Sequence, residues 1–271
     1  MSKITENDKI QYKEKIKTYS ETIKTLLKSE KDLLLESKKL TPEAPLKKMI
    51  LVNQMLNITS NYLAINGISQ AVLRLKDEEA LNEARKSIYK AIIYLEDAVS
   101  NYIDAPFSDY EEKLNALEEF DENQRYALIR KIGLTIDMLE HAYGDNSKWK
   151  WSFVDLEGRF AVTAKNMLDL KNVLENSHPD SRYYDATVYH LRLVKELLAQ
   201  SAARFREKYE LSTGQMLDFR TGISFLAALR RIHIVLVESE EAEELKKKLN
   251  VWTTKLEMDH KKHEEAKKRL G

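Results

Sequence analysis

The sequence predicts an all-α protein, an elongated bundle of about seven or eight long helices. Three observations predict it. Only 7 Gly and 4 Pro occur among 271 residues, too few for a chain of many turns. Apolar residues recur at alternating spacings of three and four along most of the chain, the period of one helical face. The stretch 49–73 carries no charge, although 32% of all residues are charged. A helix without charge on any face is usually enclosed by other helices, so this stretch is expected to be the central one. Two arrangements fit. One is a single elongated unit over 1–271. The other is two stacked sub-bundles, 1–144 and 152–271, joined by a Trp-containing linker at 145–151.

The first helix is expected over 6–40, with Thr5 as its cap and Glu6 and Asp8 in its first turn. Tyr12, Tyr19, Leu26, Leu33 and Leu40 stand seven apart, a heptad seam with Glu30 and Ser37 as weak points. Pro42 and Pro45 end it. In the central helix, Leu51, Met55, Ile58, Tyr62, Ile65, Ser69 and Val72 form the seam. Asn53, Asn57 and Asn61 line another face. They fit either a buried amide network, every donor and acceptor of which needs a partner, or an uncharged polar face that docks a partner. Gly67 is expected to allow close helix approach. Asn, Gln, Ser and Thr are too frequent here for a membrane span.

Asp77 opens the next helix, whose seam runs from Leu81 to Tyr102 before Asp104-Ala-Pro-Phe-Ser108 closes it. A short acidic helix at 109–119 follows. Asp121 and Gln124 resemble a capping box for a helix that stops at Gly144. Ser152 is the expected cap of the helix after the linker. The next seam runs from Tyr184 to Phe205, and Ser212 with Gln215 resembles a second capping box. Met216–Val237 is apolar on several faces and is expected to be the second buried helix. The charged segment 239–270 repeats Leu245, Trp252, Asp259 and Ala266 at heptad spacing. The two heptad-patterned terminal helices are expected to pair, with each other or with a second copy.

Composition narrows the function. Lys plus Arg equals Asp plus Glu, 44 each, which argues against a general nucleic-acid binder. Without cysteine there is neither disulfide nor thiolate chemistry. The polar N-terminus is not a secretory signal, so a cytoplasmic location is the default expectation. No Gly-rich phosphate loop or nucleophile elbow is present. A di-iron bundle needs two Glu-x-x-His motifs, and the sequence holds one, at Glu257 and His260 beside His263. These three are weak metal candidates on a charged helix, and no cofactor is expected. Trp149, Trp151 and Phe153 are the interface candidates, because indoles either anchor interfaces or plug gaps between helices. Arg204, Arg206, Arg220, Arg230 and Arg231 fit an anion site or ordinary ion pairs with the acids among them. The leading expectation is a non-enzymatic structural or adaptor protein working through protein–protein contacts. A metal-dependent bundle enzyme and a small-anion binder are the alternatives.

Overall fold

A computed structural model describes residues 4–39, 43–144 and 149–270, except the side chains of 263 and 266–270. Among the described residues there are ten α-helices and no strand. The chain divides into two compact units. The first comprises Met1–Ser100 and Lys113–Lys150, the second Asn101–Glu112 and Trp151–Gly271. The sequence-based division differs at 101–112, which packs with the later unit.

The first unit contains α1 (Glu6–Ser37), α2 (Ala44–Leu73), α3 (Glu78–Ala98) and α5 (Glu122–Tyr143). The five-residue α4 (Glu111–Asn115) spans the point where the division falls. Local chemistry sets the helix starts. Thr5 and Asp8 form a reciprocal capping box, with Thr5 N donating to Asp8 Oδ2 at 2.8 Å. These hydrogen bonds hold the Asp8 carboxyl below its ordinary value. Asp121 and Gln124 form the second box. Gly144, at φ +80°, ends α5, and Lys76 Nζ donates to the terminal Tyr143 carbonyl at 2.8 Å.

Asp77 ties three helices together. It caps α3 through Ala80 N, accepts from Tyr12 of α1 at 2.8 Å, and donates its own N–H to Asn66 of α2. Burial and this carboxylate raise the Tyr12 phenol pKa well above its usual value. Glu30, a weak point of the heptad seam, is buried and accepts from Lys90 and Tyr94 of α3. The α1 seam thus faces α2 and α3 inside its own unit.

The second unit contains α6 (Lys150–Asn166), α7 (Val173–Asn176), α8 (Tyr184–Lys208), α9 (Met216–Val235) and α10 (Ser239–Leu270). Every residue of 160–168 is buried, so α6, not α9, is the second enclosed helix. Gly158 lets it approach its neighbours, since a Cβ there would stand 2.6 Å from Phe205 Cε2. His190 of α8 donates from Nε2 to the Ala164 carbonyl at 2.9 Å. Lys208 bridges Asp155 of α6 and Asp218 of α9, at 2.8 and 3.1 Å. Rings of Tyr209, Phe219 and Trp252 stack in sequence and seat α10 on α9.

Two expected caps differ. α6 starts at Lys150, so Ser152 lies inside its first turn. Residues 209–213 continue α8 as a π turn closed by Gly214 at φ +60°. Gln215 therefore makes no side-chain cap, and Thr213 bonds Asp218 instead.

Candidate functional site

The asparagine row of α2 does not form a buried network. Asn57 is exposed, and Asn53 and Asn61 are half-buried. Asn53 and Asn61 donate to carbonyls one turn back, at Met49 and Asn57. Lys131 of α5 donates to Asn53 Oδ1 at 3.2 Å and reaches Asn57 Oδ1 at 3.5 Å. The buried amide of this helix is Asn66, bonded to the backbone of Asp77.

The row belongs to a longer strip. Ile50, Asn53, Asn57, Asn61, Ala64, Ile68 and Ala71 follow one another at spacings of three and four. All are exposed or half-buried, and none is charged. The strip lies between α1, reached by Gln54 on Ser29, and α5, reached by Lys131. On α5 the next turns carry Leu134, 61% exposed, and Met138, 52% exposed. Both fall off the buried seam Ile129-Ile132-Ile136-Leu139, the one sign of them in the sequence. Gly67 adjoins the strip, and a Cβ there would meet nothing within 4 Å. Its expected close helix approach is thus not made within the described residues.

The aromatic segment is divided between the units. Trp149, half-buried in the first, stacks on the Arg85 guanidinium at 4.1 Å and meets Tyr143 edge-on. Trp151 lies in the first turn of α6, and Phe153 is buried in the second unit, 3% exposed. Residues 145–148 of the expected linker lie outside the described residues. Trp252, which sequence spacing marks only as a seam residue, is the most enclosed of the three indoles, 4% exposed.

Two of the three metal candidates stand on the exposed side of α10. Glu257 and His260 are exposed, and the His263 side chain lies outside the description. Among the described residues no three His, Asp or Glu groups gather closely enough to hold a metal ion.

The late arginines disperse. Arg204 pairs with Glu157, and Arg206 with Glu210 at 2.9 Å, its guanidinium over Trp252. Arg220 stands near His260 and Lys261. Arg230 and Arg231 line one cavity of about 340 Å³ in the second unit, with Pro106, Phe107, Ile234 and Leu249 among its walls. Arg231 Nε donates to Asp104 Oδ1 at 2.8 Å, and Arg230 Nε to the Ala242 carbonyl at 3.2 Å. Under the same 101–112 segment lies Lys165 of α6, 3% exposed. Its Nζ is 3.4 Å from the Tyr110 hydroxyl and 4.7 Å from the ring centre. Burial pushes this ammonium down to about 8; Asp104 opposes the shift and Arg231 adds to it.

No helix among the described residues is long and apolar enough to cross a membrane. A family described as the TP0443 family matches residues 8–260. No curated protein and no solved structure matches the chain.

Proposed function

We propose that this chain, which belongs to the TP0443 family, is a non-enzymatic adaptor whose α2 strip docks a helix of a partner protein. The observation that supports it most is the uncharged strip from Ile50 to Ala71, left open beside exposed Leu134 and Met138. Twenty-odd residues of helix give a strip roughly 30 Å long, a length that suits helix-in-groove docking. Ser60, Ala64, Gly67 and Ala71 are small, and the empty space at Gly67 favours a close backbone approach.

The partner's face is apolar with amide or hydroxyl groups. A charged face laid on this strip would lose its hydration and find Lys131 as its main counter-charge, at a cost of several kcal/mol per unpaired ion. The equal counts of acids and bases favour a protein partner over a phosphate backbone.

A photo-reactive residue at Ala71 tests the reading in extracts of the native source, followed by binding of the purified adduct partner. One protein is expected to recur, joined through a peptide with an uncharged helical face. It should bind the native chain but not Leu134→Glu, while both melt at the same temperature. Adducts only with a second copy of this chain, or adducts indifferent to Leu134→Glu, reject the docked helix.

A further inference from the structure

We infer that the cavity lined by Arg230 and Arg231 is a binding site for a small organic anion, one with a carboxylate or phosphate head and an apolar body. The site belongs to the second unit and is independent of the docking strip, which belongs to the first. Its volume, about 340 Å³, is at the lower end for small-molecule pockets. Its walls are of two kinds. Pro106, Phe107, Ile234 and Leu249 supply apolar surface, and the two guanidiniums and the Asp104 carboxylate supply charge.

Arg230 is held without being neutralised, whereas Arg231 is ion-paired. The Ala242 carbonyl takes Nε of Arg230, and no carboxylate of the described residues lies within ion-pair distance of that side chain. Asp104 takes Nε of Arg231. Both contacts fix a planar fork by its inner nitrogen, and the terminal nitrogens are the ones suited to a two-oxygen head group.

The local charge is the second, independent observation. Lys165 is enclosed beside the Asp104–Arg231 pair, with its Nζ against the Tyr110 phenol. Two guanidiniums and the buried ammonium stand with the carboxylates of Asp104 and Asp109, leaving an excess of one positive charge among these groups. Of these cations only Lys165 is buried, and an anion in the cavity offsets the cost of its charge. The neutral phenol of Tyr110, held protonated by burial, leaves that excess in place.

Titration calorimetry on the full chain tests the site with octanoate, octyl phosphate, octanol and inorganic phosphate. One octyl anion per chain is expected to bind, and the tighter of the two identifies the head group. Octanol and inorganic phosphate should each bind at least about tenfold more weakly, as loss of a charge-assisted hydrogen bond or of the tail implies. Arg230→Gln should weaken the octyl anions by roughly tenfold or more. Ile234→Glu, at a half-exposed position on the cavity wall, should do the same with an unchanged melting midpoint. The site is rejected if octanol binds as well as the anions, if neither anion saturates, or if both variants titrate like the native chain.

Discussion

Lys165 holds an ammonium where water scarcely reaches it, and that has a pH signature. Its folded-state value is about 8 against 10.5 for an ordinary lysine. Between those values the unfolded chain binds the extra proton, so stability rises with pH there. Below about pH 8 the penalty is fully present. Lys165→Met keeps the stem's packing and removes the charge. At pH 7 it is expected to stabilise the protein by on the order of 2–3 kcal/mol. Denaturant unfolding of both forms should show the gap closing as pH rises toward 10.5. The tryptophans behave differently from one another. Trp252→Ala should cost about 3–5 kcal/mol, the toll of an emptied core position. Trp149→Ala removes a half-buried ring on Arg85 and should cost about 1–2 kcal/mol. Trp149 and Trp151 attract notice in the sequence because they are close together, whereas Trp252 sits alone in a charged run. Only its ring neighbour Phe219, with Tyr209 stacked beyond it, reveals its place, and they lie 33 and 43 residues away.

Helix ends show how legible this chain is. Where a start depends on residues three apart, as at Thr5/Asp8 and Asp121/Gln124, the local pattern suffices and the structure agrees. At Ser212/Gln215 a similar pattern fails, because α8 runs on through the π turn and Asp218 takes the Thr213 hydroxyl. The enclosed position of α6 was not legible either. Thr163, Lys165 and Asn166 are buried there, and a helix with such residues reads as surface until their partners on other helices are known. The uncharged stretch of α2 misled in the opposite direction, since one of its faces is open. Its enclosed face should still be well protected. Hydrogen exchange is expected to be slowest around Met55–Thr59 in the first unit and Phe160–Ala164 in the second, and fast exchange in the latter stretch would count against an enclosed α6. Gly158→Ala should destabilise α6 packing by about 1–3 kcal/mol, read as a lower unfolding midpoint, because Phe205 must move.

On the scale of the whole molecule, the helical class follows from periodicity, but the division into units does not. Nothing in 101–112 marks it as part of the later unit; Asp104, Tyr110 and Glu111 find their partners only at Arg231, Lys165 and Lys171. The chain enters the first unit, leaves at Asn101, returns at Lys113 and leaves again at Trp151. Cutting an engineered protease site within 145–148 should therefore not free the second unit. The two fragments are expected to co-elute on gel filtration under native conditions, because 101–112 stays with 1–144 in sequence and with 151–271 in packing. Elution as two separate species would sink this reading.

The same crossing pattern sets a timetable for the ribosome. Residues 101–112 emerge before any of the helices they belong with, and α9, which supplies Arg231, comes more than a hundred residues later. At ordinary synthesis rates of about 5–20 residues per second, that leaves Phe107 and Tyr110 uncovered for several seconds or more. The first unit has all its helices by Tyr143 and can close meanwhile, with an aromatic loop held out of it. A nascent chain stalled near residue 150 should thus present that loop to chaperones, and one released after residue 235 should not.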